Sequence, residues 1–204
     1  MNGSIYHQMT VFCFLITLLI WLGALVSRKF ADKPYFMLNT AILLFEGVDA
    51  AWGLMDTGRL PANRPALTVM AGLNYLMFMA ALTALTDYIS SAVLSKRWQK
   101  HLRDLLGLAS VVTVVLVTVS AFNGMLYWVG NDHLFHRGPA YPYWFWMLAG
   151  LHLTMLPFVF RRLQQEKDRS SRVLYGIAYL MPLVLLIMEY TFSGYPFASM
   201  SFTI

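Results

Sequence analysis

Long apolar runs alternate with short basic clusters along this 204-residue chain, and that alternation restricts it to a membrane. Twelve of its 15 Lys and Arg residues fall in three clusters. Arg28, Lys29 and Lys33 form the first, Lys96, Arg97, Lys100 and Arg103 the second, and Arg161, Arg162, Lys167, Arg169 and Arg172 the third. Arg59, Arg64 and Arg137 lie between them. A helix needs about 20 apolar residues to cross a hydrocarbon core about 30 Å thick. The runs Met9–Ser27, Tyr35–Met55, Ala66–Leu94, Leu105–Val129, Tyr141–Phe160 and Val173–Tyr195 meet that length. Lipid leaves exposed backbone groups unsatisfied, so such runs fold as helices, and they are too continuous for barrel strands. The expected fold is all-α: a polytopic membrane helix bundle of six transmembrane helices plus the start of a seventh at Phe197–Ile204. It is expected to be one domain over residues 1–204, stopping inside its last helix, with no soluble domain.

Composition agrees with a membrane setting. The chain is 58% hydrophobic and 12% charged, whereas a soluble domain carries about 25% charged residues. The net charge of +5 is concentrated beside the apolar runs. There it sets orientation and meets anionic headgroups, so the expected partner is the lipid bilayer and not nucleic acid. The positive-inside rule puts the three clusters in the cytoplasm and the N-terminus outside. Cys13 is the sole cysteine and supports no disulfide framework or Cys-based metal site.

Ionisable groups inside a bilayer are costly and point to function by default. Glu46 and Asp49 stand three apart on one helix face, with Trp52 beyond them. Asn74 on the third run is expected at a similar depth, and Glu189 in the outer third of the sixth. Together these suggest a polar cluster in the outer half of the bundle. The competing reading is structural: the acids hold helices together through Asn74, Asn39 or hydroxyl groups. Asp87 is expected to pair with Lys96 or Arg97 near the inner interface, and His152 to pack.

The outer loop between runs four and five is the most distinctive stretch. It reads Asn123-Gly124-Met125-Leu126-Tyr127-Trp128, a Gly130-Asn131-Asp132 turn, then Phe135-His136-Arg137-Gly138-Pro139. A turn and an interfacial aromatic belt account for most of it. Gly138 is expected to supply free φ, and Pro139 to sit near a helix start. Tyr127, His136 and Arg137 join the candidate ligand contacts, with Arg137 and His136 over the mouth of the bundle.

Phe122-Asn123 with Phe135-His136-Arg137-Gly138-Pro139, followed by Pro182, Glu189 and Phe192-Ser193-Gly194-Tyr195, resembles a known pattern. It is similar to the multi-helix membrane sensory input regions that precede diguanylate cyclase (GGDEF) and related signalling domains in bacteria. Glu189 departs from the Gln expected there. The resemblance implies a multi-pass protein of the bacterial cytoplasmic membrane. It implies a sensor of an extracytoplasmic or membrane-borne small molecule, signalling as a homodimer to a cytoplasmic output domain absent from this chain.

Two other functions compete. Midplane carboxylates suit a small ion-coupled transporter, but no inverted repeat or matched pair of broken helices accompanies them. An intramembrane enzyme lacks support, because the chain has no His-Glu-x-x-His, Gly-x-Ser-x-Gly or Gly-x-Gly-x-x-Gly motif. The chain itself is expected to be non-enzymatic, with no cofactor and no metal.

Overall fold

The computed structural model describes residues 3–27, 33–131 and 135–165, with isolated positions between 168 and 191. Among these the chain forms α1 (Gly3–Val26), α2 (Lys33–Asp56), α3 (Arg64–Val93), α4 (Lys96–Asn123), β1 (Tyr127–Val129), β2 (Phe135–Arg137), α5 (Tyr141–Leu153) and α6 (Leu156–Gln165). Each long helix packs antiparallel on the one before it. Trp21 of α1 donates to Thr40 of α2 at 3.1 Å, while Phe14 lies beside Gly47. Phe45 of α2 meets Phe78 of α3 edge-on at 5.6 Å, and Tyr35 meets Tyr88 at 6.3 Å. Trp144 of α5 donates to Thr113 of α4 at 2.9 Å.

Among the described residues the structure carries four candidate crossings, not six and the start of a seventh. Four helical stretches among the described residues are long and apolar enough to cross a membrane: Gln8–Val26, Arg64–Ser91, Lys96–Asn123 and Tyr141–Gln165. The described residues therefore form an all-α bundle with four candidate membrane-spanning helices, as a multi-pass membrane protein would have. The second run is helical but falls short, because Glu46 and Asp49 interrupt its apolar character. Its buried stripe of Leu38, Ile42, Phe45, Glu46, Asp49 and Gly53 repeats every three or four residues. That spacing is one helix face, and it turns inward between α1 and α3. Most of the sixth run, and all of Phe197–Ile204, lies outside the described residues.

The fifth run is two helices rather than one. Pro157 has no amide proton for the carbonyl of Leu153, and its ring crowds that carbonyl. The helix stops at Leu153, and Met155 N donates instead to His152 O at 3.1 Å. The outward faces are lipid-compatible: Leu15 and Leu19 on α1 and Leu108, Val111 and Val114 on α4 are all exposed.

The described bases of the three clusters, Lys33, those of Lys96–Arg103 and Arg161, lie toward one end. The last turn of α1 packs near the first turns of α2, which lie beside the end of α3. Asp87 there pairs with Arg103 of α4 at 2.6 and 3.2 Å, not with Lys96 or Arg97. Arg103 is two turns into α4, where an antiparallel helix faces residue 87. Lys96 and Arg97 have already passed the end of α3. Trp98 then meets Phe158 of α6 at 5.7 Å, bringing the second cluster and Arg161 to the same end.

Candidate functional site

A two-stranded antiparallel hairpin closes the opposite end, where the sequence suggested only a turn. Its register pairs Tyr127 with Arg137, Trp128 with His136 and Val129 with Phe135. It grows from the end of α4. Gly124 caps that helix with φ +70°, a left-handed conformation that glycine enters without steric cost. Asn123 Oδ1 accepts from Met125 N at 3.0 Å, and Ser120 Oγ accepts from Leu126 N. The returning strand is tied down by Gly138 N donating to Leu126 O at 2.8 Å and Ala140 N to Met125 O at 2.9 Å.

Gly138 is needed for a different reason from the one its sequence suggested. Positive φ among the described glycines occurs at Gly58 and Gly124, not at Gly138. A Cβ on Gly138 would instead overlap the carbonyl oxygens of Gly124 and Met125. The Asn-Gly and Arg-Gly-Pro strings thus form one backbone lock. Arg64, at the start of α3, completes it by donating to Val129 O and to Asn131 Oδ1, each at 3.0 Å.

The hairpin lays an aromatic layer over α2, α3 and α5. Phe135 meets Trp52 edge-on at 4.9 Å. Tyr127 stacks on Tyr75 at 5.4 Å and donates its hydroxyl to Thr68 O at 3.2 Å. Tyr75 in turn meets Trp144 edge-on at 4.9 Å. Sequence reasoning missed Phe135, Trp144 and Thr113 as members of this layer, since the contacts join residues tens of positions apart.

Beneath it lie the polar groups. Asn74 Nδ2 donates to Asp49 Oδ1 at 2.9 Å, so α2 and α3 share a polar contact one turn below Trp52. Asp49 is 3% exposed, and Glu46, another turn down, is 0% exposed. Asn74 lies six residues past Thr68, about 9 Å deeper along α3 at 1.5 Å per residue. The structure therefore brings Glu46, Asp49, Trp52, Asn74 and Tyr127 to one end of the bundle. It takes His136 and Arg137 elsewhere. His136 stacks on Trp128 at 4.0 Å, across the hairpin from Phe135. Arg137 sits 4.4 Å over the Tyr141 ring and donates to Tyr190 O at 3.4 Å. Tyr190 stacks on Phe145 at 4.5 Å, so Arg137 fastens the hairpin to the C-terminal part of the chain. Glu189 lies outside the described residues.

Burial pushes the Tyr127 phenol above its ordinary value. The folded chain then keeps that proton to higher pH than the unfolded chain. Its contribution to stability is complete below about pH 10 and is lost as pH rises through the folded value. The alkaline fall in thermal midpoint is expected to be shallower in Tyr127→Phe than in the wild type. An equally steep fall in Tyr127→Phe and the wild type would show that this phenol contributes nothing to the alkaline loss.

Comparison with protein-family models, with characterised proteins and with solved structures finds no match. The resemblance to diguanylate-cyclase-associated input regions is therefore withdrawn. Of the residues that suggested it, Asn123 and Gly138 serve the backbone lock of the hairpin, while Pro182, Glu189 and Phe192–Tyr195 lie outside the described residues. Among the described residues, no three His, Cys, Asp or Glu side chains gather as a metal site would require.

Proposed function

We propose that this chain is a membrane-embedded small-molecule-binding domain, with its site between α2 and α3 beneath the hairpin. One observation carries the reading: two buried carboxylates, Glu46 and Asp49, lie on one face of α2 directly under an aromatic layer. Carboxylates recognise ammonium and hydroxyl groups, and aromatic faces favour cations and apolar carbon. The ligand class that suits both is a small cationic or hydroxyl-rich molecule. It reaches the acids past the hairpin, so binding and hairpin position are linked. A ligand that binds one hairpin arrangement better than another shifts the packing of α3 and α5 below it. That is how such a domain would report occupancy as a receptor. The basic end, by the positive-inside rule, faces the cytoplasm.

The test is a thermal-shift panel of quaternary ammonium compounds, polyamines and polyols on the purified chain in nanodiscs. A ligand present at about 100 times its Kd stabilises by about 2.7 kcal/mol. The wild type is expected to show such a shift with at least one ligand, and Asp49→Asn and Glu46→Gln to lose most of it. Equal shifts in all three proteins would remove the acids from the site. Saturable uptake of the same ligand into proteoliposomes would replace the receptor reading with a transporter.

A further inference from the structure

We propose that the basic end of the bundle binds the headgroup of an anionic phospholipid. The site is framed by Lys96, Arg97 and Lys100 of α4 and Arg161 of α6, with Trp98 as its apolar anchor. It is distinct from the carboxylate site, which lies at the other end of α3.

The first argument is electrostatic. The N-terminus of a helix carries partial positive charge, so cations are disfavoured in its first turns. α4 nevertheless opens Lys96-Arg97-Trp98-Gln99-Lys100, with no acid in its first turn. The carboxylate across the interface does not offset them, because Asp87 is held by Arg103. Among the described residues, Lys96, Arg97 and Lys100 make no ion pair, and neither does Asp104 on the next turn of α4. All three bases are exposed. Such a concentration of like charge is relieved by an external anion.

The second argument concerns which anion. Trp98 is 55% exposed although its ring leans on Phe158 of α6. Phe160 nearby in sequence is 48% exposed. A soluble phosphate would leave both apolar surfaces in water. An amphiphile places its phosphate among the bases and its glycerol and upper chain against the indole, the arrangement tryptophan favours at a membrane interface. Arg161 follows Phe158 by three residues, on the same face of α6, and is exposed. The Trp98–Phe158 contact therefore brings bases from two helices beside one aromatic anchor. Joining them through a lipid would also tie α4 to α6 across the break at Thr154–Met155.

The experiment uses the full chain in phosphatidylcholine nanodiscs containing phosphatidylglycerol, with bromine on the chains of one lipid or the other. Trp98 emission is read as the difference between the wild type and Trp98→Phe. Brominated phosphatidylglycerol is expected to quench that emission more than brominated phosphatidylcholine at equal mole fraction. The preference should fall about fivefold for each base removed in Lys96→Gln, Arg97→Gln and Lys100→Gln. Arg59→Gln, an exposed base beyond α2 at the opposite end, should leave it unchanged. Equal quenching by the two lipids would overturn the proposal. So would an equal loss of preference in Arg59→Gln, which would assign the effect to net charge. Unchanged circular dichroism and thermal midpoints in the Gln variants confirm that each reading comes from folded protein.

Discussion

Gly138→Ala is expected to lower stability by about 3 kcal/mol, the upper end of the usual cost of overpacking. The added methyl group would meet the carbonyl oxygens of Gly124 and Met125 and the carbonyl carbon of Met125. All three are backbone atoms, so no rotamer change relieves the overlap. The strand must lift, and lifting it strains the bonds from Gly138 N to Leu126 O and from Ala140 N to Met125 O. It also draws Phe135 away from Trp52, which opens the aromatic layer above Asp49. Gly124→Ala is the informative control. Gly124 has φ +70°, and a Cβ there would stand 3.1 Å from the Trp128 Cβ. An L-residue in that conformation costs about 1–2 kcal/mol, and the approach to Trp128 is a close contact, not the overlap with backbone oxygens met at Gly138. Thermal melts in nanodiscs should therefore rank Gly138→Ala as the more damaging change. The reverse ranking would mean that φ, not space, is what the Arg-Gly-Pro string protects.

That contrast shows what the sequence made legible. Length and apolar character located the helices well where the helix is uniformly apolar. The run Met9–Ser27 nearly coincides with the span Gln8–Val26, and Ala66–Leu94 with Arg64–Ser91. The estimate of crossings failed where that logic averages over a face. In α2, inward-facing Glu46 and Asp49 interrupt the apolar run, and a length criterion counted the helix without weighing them. The start of α4 was missed by nine residues, because its first turns are basic and read as loop. Strands of three residues are too short to show a period of two, so the hairpin was invisible. The acids and Asn74 could be placed at similar depth by counting residues from helix ends. That Arg137 would be spent on Tyr141 and Tyr190 could not, because such contacts follow from how distant segments meet.

Trp144→Ala is expected to be the second large loss, about 3–5 kcal/mol for removing a buried aromatic side chain. Trp144 is 5% exposed and joins both parts of the aromatic layer, with Tyr75 at 4.9 Å on one side and Phe78 at 5.9 Å on the other. Within a membrane, helices gain little from excluding water, so such packing carries much of their association. The indole also donates to Thr113 Oγ1 at 2.9 Å, while the Thr113 hydroxyl donates to Ala109 O at 2.8 Å. Trp144→Phe and Thr113→Val separate the two contributions. Each single change removes the hydrogen bond, and their combination should cost less than the sum by about 1 kcal/mol, the usual worth of such a bond. Strict additivity would show that the bond contributes nothing and that packing alone fixes Trp144. Trp144 also buttresses Tyr75, which in turn supports Tyr127 and the hairpin. Loss of that support should increase the reactivity of a thiol introduced at Asn74 toward a water-soluble reagent. The conservative Trp144→Phe should leave that reactivity close to the wild-type value, because the ring still fills the layer. If both variants expose position 74 equally, the hydrogen bond to α4 holds the layer over the acids, and ring volume does not.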